Sequence, residues 1–173
     1  MHSIVKIDKI TAAGCQIDTA IELALSDKDV VSAAVLTHSA WSIVKDLLIV
    51  KGIESSRSWM PEHFPNSTEN EVWKKLDEVW MFCKHANKDP NAIIEFSSKY
   101  IEPALFLLLY DFSQISVKSK TMDVYELWFI ATNENLYKTY DVFTSASEFF
   151  PSINTMSPAK QRMVGLKAIL SIT

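Results

Sequence analysis

Three features of the chain predict an all-α fold, a single-domain bundle of seven or eight helices. Apolar residues recur at three- and four-residue steps along nearly the whole sequence. No hairpin dipeptide such as Asn-Gly or Asp-Gly occurs, and no segment alternates cleanly between apolar and polar residues. With 173 residues, 48% hydrophobic and 22% charged, the chain has the size and composition of one ordinary globular core. Residues 1–173 therefore read as one helical domain.

Ile10, Ala13, Ile17, Ile21 and Ala24 give a first helix its apolar face. Ser26-Asp27-Lys28-Asp29 follows as a turn with good N-capping chemistry. The second helix carries Val30, Ala34, Thr37, Trp41, Val44 and Leu48 on one side. Gly52 marks its end, where a left-handed residue is commonly needed. Residues 53–67 break the pattern, with Pro61 and Pro65 bracketing Glu62-His63-Phe64 behind Trp59 and Met60. This proline-containing loop is longer than the roughly 2–8 residues that usually join helices. It reads as a lid or a packed surface loop, and Trp59 is placed to cover a pocket or a partner.

Thr68 and Glu71 form a capping box. The helix behind it has Val72, Leu76, Val79, Cys83 and Ala86 on one face, Trp73 and Trp80 alongside, and Asn87 at its end. Asp89 followed by Pro90 supplies a cap and a first-turn proline, which predicts that a helix restarts there. Pro103 falls inside the following stretch, so residues 90–118 are predicted to form two helices or one kinked helix. Leu105 to Tyr110 is apolar all round, the pattern of a helix buried between others. Thr121 to Thr132 forms a further helix dense in aromatic and aliphatic side chains. Leu136, Tyr140, Phe143, Ala146 and Phe150 give another face, stopped by Pro151. Ser157-Pro158 opens the last helix, whose inner face is the stem of Arg162 with Leu166, Ile169 and part of Leu170.

Charge and composition exclude several classes of function. A net charge of −4, with Arg57 and Arg162 the only arginines, argues against a nucleic-acid partner, which calls for a basic stripe. Gly14, Gly52 and Gly165 stand too far apart to write a phosphate loop or a dinucleotide fingerprint. Cys15 and Cys83 have no zinc-ligand spacing, and read as two buried thiols of a reducing compartment. No Glu-x-x-His or His-x-x-x-His pair and no Gly-x-Ser-x-Gly elbow is present, so no metal or cofactor is expected. Ala12-Ala13-Gly14-Cys15 resembles a lipoprotein cleavage box, but Lys6, Asp8 and Lys9 interrupt the apolar region that a leader requires. The longest apolar run, Ala104 to Tyr110, falls far short of the roughly 18 residues that span a bilayer. The chain is expected to be cytoplasmic, with no membrane partner.

The string from Phe82 to Pro90 holds the most suggestive chemistry, placing Lys84, His85 and Asp89 at a helix junction. In one reading Lys84 and His85 bind an anion or exchange protons, with Asp89 orienting the imidazole. In the other, the two cations face the negative end of a helix dipole and Asp89 caps the next helix. His38, at the edge of the second helix's inner face, would complete a polar pocket of His38, Lys84, His85 and Asp89 if it met them in space. As a lone histidine it equally suits a hydrogen-bonded core position.

The string Lys84-His85-Ala86-Asn87-Lys88-Asp89-Pro90, the earlier Leu36-Thr37-His38-Ser39-Ala40 and the later Trp128-Phe129-Ile130-Ala131 resemble the motifs of a family of small all-helical bacterial proteins. That resemblance covers most of the chain and implies a helical bacterial protein, with no particular activity. The chain is also distantly similar to the HEPN group of helical bundles, some of which are ribonucleases with an arginine four to six residues before a histidine. Arg57 and His63 have that spacing, though inside the proline loop and not on a helix. The first expectation is a protein-interaction or self-associating module, a homodimer burying an aromatic helix face between residues 121 and 150. The alternatives are a ligand-binding protein or enzyme using the polar pocket, and a HEPN-like ribonuclease.

Overall fold

Residues 4–56 and 69–172 are described by a computed structural model, residues 69–72 as backbone. Among them are eight α-helices and no strand: α1 (Lys9–Ser26), α2 (Val30–Lys51), α3 (Glu69–Lys84), α4 (Ile101–Ser113), α5 (Lys120–Thr132), α6 (Glu134–Tyr137), α7 (Asp141–Phe149) and α8 (Pro158–Leu170). They form one all-helical bundle around a shared core.

The α1–α2 hairpin is the backbone of the bundle, and its ends follow from local chemistry. Asp8 caps α1 by accepting from the Thr11 N–H at 2.7 Å, and Asp29 caps α2 through the Ser32 N–H at 2.9 Å. Asp27 ends α1 with a left-handed φ of 53°. Gly52 ends α2 at φ 67°, its N–H reaching the Ile49 carbonyl while the Ile53 N–H reaches Leu48. This is the paired hydrogen bonding by which a Schellman motif closes a helix. The facing stripes are Ala13, Ile17, Ala20, Ile21 and Leu25 on α1 and Ala33, Ala34, Ala40, Trp41, Val44 and Leu48 on α2, all buried.

By length and apolar content α2 could cross a membrane, although polar residues such as Ser32, Thr37 and His38 interrupt its apolar run. In the bundle it packs against α1, α3 and α4 and buries Thr37 and His38 on its inner side, the arrangement of a core helix.

Five expectations need correction. No helix restarts at Asp89-Pro90: residues 85–97 are turn and extended chain, followed by a 3₁₀ turn at Ser98–Tyr100 and then α4. Asp89 closes a single turn through its carbonyl, which accepts the Ala92 N–H at 2.9 Å. Ile93, Phe96 and Tyr100 behind it have helical spacing, but the chain instead packs Ile94 and Phe96 against the core at a spacing of two. Pro103 does not kink a helix either; it is the third residue of α4, where its missing N–H would have no intrahelical partner anyway. Cys15 and Cys83 are exposed, not buried, and α3 stops at Lys84 before Ala86 can join its face. Leu136 and Tyr140 are exposed as well, because the expected single helix over 136–150 splits into α6 and α7. The capping box at Thr68 and most of the proline loop lie outside the described residues.

Candidate functional site

The packed face between α2 and α3 holds a group of polar and aromatic side chains that includes His38 and Lys84 of the expected site. Trp73, Asp77, Trp80 and Lys84 recur on α3 at steps of four, three and four, so one helical stripe carries them all. Opposite stand His38 and Trp41 of α2. Trp41 stacks on Trp73 with ring centres 4.3 Å apart, and His38 stacks on Trp80 at 4.6 Å. The largely buried His38 Nε2 lies 2.9 Å from the half-exposed Asp77 Oδ1. With Asp77 ionised, the imidazole N–H is the donor. The Lys84 ammonium sits 4.2 Å from the Trp80 ring centre, within the range of a cation–π contact.

Of the four residues expected to share a polar pocket, two therefore meet through a third: His38 and Lys84 both contact Trp80. The other two stand apart from that contact. The His85 N–H continues the last turn of α3 by donating to the Met81 carbonyl at 3.0 Å. Asp89 lines a separate cavity of about 200 Å³ with Phe82, Cys83, Ala86, Pro90 and Ala92. Among the described residues, no hydrogen bond, ion pair or ring contact joins His85 or Asp89 to His38. Glu78 pairs with Lys75 at 2.9 Å. Among the described residues, no group of three or more metal-ligating side chains converges. Arg57, Trp59 and His63 lie outside the described residues.

An apolar groove of about 500 Å³ lies beside this face. Its walls are Val30 and Val31 at the start of α2, Val79 and Phe82 on α3, and the non-helical segment from Ala92 to Phe96 with Ser98. That segment shows a period of two in its burial: Ala92, Ile94 and Phe96 are half-buried, while Ile93, Glu95 and Ser97 are exposed. Among the described residues, the peptide groups of Ile93 to Phe96 make no main-chain hydrogen bond. The groove thus combines an apolar floor with an unpaired strand-like edge, the two elements that bind an extended peptide.

Two carboxylates of structural weight escaped the sequence reading. Asp77, the partner of His38, was readable in principle from the helical stripe it shares with Trp73 and Trp80. Asp111 is fully buried and accepts the Ser56 N–H at 2.6 Å, tying α4 to the chain that leaves α2. Burial pushes its carboxyl up to about 6, and the Ser56 hydrogen bonds only partly oppose this. Its signal was its place on the buried side of α4, four residues after Leu107. Compared with family models, with curated proteins and with solved structures, the chain matches none.

Proposed function

We propose that the protein is a self-associating interaction module whose apolar groove receives an extended apolar segment of a partner chain. The observation that carries this reading is the groove itself, about 500 Å³ and walled by Val30, Val79, Phe82, Ile94 and Phe96. Val31 and Ile93 on its rim are 51% and 93% exposed. An aliphatic side chain left in water forgoes roughly 1.5–3 kcal/mol of burial, so a rim of this kind favours a covering partner.

The His38–Asp77–Trp80–Lys84 face supports a structural role in this reading. The His38–Asp77 hydrogen bond and the stacked rings of His38 with Trp80 and Trp41 with Trp73 hold α3 against α2, which positions the groove wall. Sedimentation velocity at about 100 µM tests the reading, since stable interfaces bind far more tightly than this. The wild type is expected to sediment as a dimer, and Val31→Glu combined with Ile93→Glu as a folded monomer. A wild-type monomer, or a dimer that the two charges leave intact, would overturn it.

A further inference from the structure

The residues before α1 provide a segment of the kind the groove takes. Ile4, Val5 and Ile7 are 95%, 73% and 57% exposed. Like the groove edge, Ile4 to Ile7 are non-helical and make no main-chain hydrogen bond among the described residues. The molecule therefore carries two non-helical segments with no main-chain hydrogen bond among the described residues, one forming an apolar arm and the other the rim of an apolar groove.

The arm does not reach its own groove. It precedes the start of α1, whereas the groove opens at the start of α2, and the short turn between these helices runs them antiparallel. The 18 residues of α1 separate the two by about 27 Å, at 1.5 Å per residue. The four residues from Ile4 to Ile7, fully extended, span at most about 14 Å.

We propose that the arm of one copy fills the groove of a second, so that two copies exchange arms about a two-fold axis. This rests on the self-association reading above and names the occupant of the groove. Side-by-side hairpins running in opposite directions bring each arm end to the other's groove end, and the exchange closes with two copies. In each groove Ile4 to Ile7 pair as a strand with Ile93 to Phe96, joining the two unpaired backbones, and aliphatic arm side chains enter between Val79 and Phe82. A stable dimer buries about 1,600 Å², or about 400 Å² from each arm and each groove. In a strand Val5 and Ile7 turn to one face and enter the groove while Ile4 turns to the other and lies along its rim, so the buried area comes from both faces of the arm.

The test uses the full chain in three forms: wild type, Ile4→Glu with Ile7→Glu, and Val31→Glu with Ile93→Glu. All substituted side chains are more than half exposed, so each form should fold. Arm exchange predicts a wild-type dimer and dissociation on the order of 100-fold easier in both variants, as for the loss of interface hot spots. It also predicts slowed amide exchange at Ile93 to Phe96 in the wild type, lost in the arm variant. A dimer that breaks in the groove variant but persists in the arm variant would overturn the exchange and leave the groove reading standing. A dimer indifferent to both, or a wild-type monomer at about 100 µM, would overturn both.

Discussion

Asp111 shows how far one side chain can depend on its surroundings. Its carboxyl is fully buried on α4, with Oδ1 accepting from Ser56 and the Trp41 side chain also favouring its charged form. Burial disfavours its charge and raises its pKa to about 6, above the ordinary 3.8. Between those two values the folded chain holds a proton that the unfolded chain releases, so stability falls as pH rises through this window. The full effect is about 3 kcal/mol, present below pH 4 and lost above pH 6. Asp111→Asn keeps an acceptor for Ser56 and removes the titration. Relative to wild type, its urea midpoint should therefore improve between pH 4 and pH 8, and an unchanged difference would contradict this account. His38 and Asp89 make a second contrast. His38→Ala removes a hydrogen bond and a stacked ring from a largely buried position, at about 1–3 kcal/mol. Asp89 is exposed and caps no helix, so Asp89→Ala should stay within about 0.5 kcal/mol of wild type in the same titration.

Among the elements, α8 is locked to the bundle at two points. The Arg162 guanidinium reaches Glu102 on α4 at 3.3 Å and Asp27 in the α1–α2 turn at 3.7 Å. Burial raises the Glu102 carboxyl, and the Arg162 charge opposes that rise. Beside this pair, Gly165 lies against Trp128 of α5, whose indole N–H donates to the Gln161 carbonyl at 2.9 Å. A Cβ at position 165 would fall 2.7 Å from the Trp128 ring. The hydrogen bond and the core around the indole leave it little room to move aside. Gly165→Ala is therefore expected to destabilise the protein by about 1–3 kcal/mol, despite the better helix propensity of alanine. A thermal melt at or above the wild-type midpoint would show that α8 can shift away from α5.

For the whole molecule, association and stability are linked. If two copies exchange arms, the folded dimer gains stability from mass action, and its melting temperature rises with protein concentration. Calorimetry between about 5 and 500 µM should show that rise in the wild type and a flat midpoint in the Ile4→Glu, Ile7→Glu form. Equal slopes in the two forms would separate stability from the arm. Within the aromatic stretch between residues 121 and 150, Tyr125, Trp128 and Phe129 are buried in the core. Leu136, Tyr140 and Phe149 remain partly exposed on the neighbouring short helices.

The all-helical class, the α1–α2 hairpin and the ends of α2 were legible in the sequence because they depend on local rules. Three- and four-residue spacing sets a buried face, Asp29 caps through the nearby Ser32 N–H, and Gly52 accepts a left-handed backbone. Asp89-Pro90 carried an equally good local signal and no helix followed, because the bundle takes up Ile94 and Phe96 at a spacing of two and tertiary packing overrides the local signal. The contact of His38 and Lys84 with Trp80, the buried charge of Asp111 and the groove beside Ile94 depended on tertiary structure. Each joins residues distant in sequence, and helical periodicity states which face turns inward without stating which other face it meets.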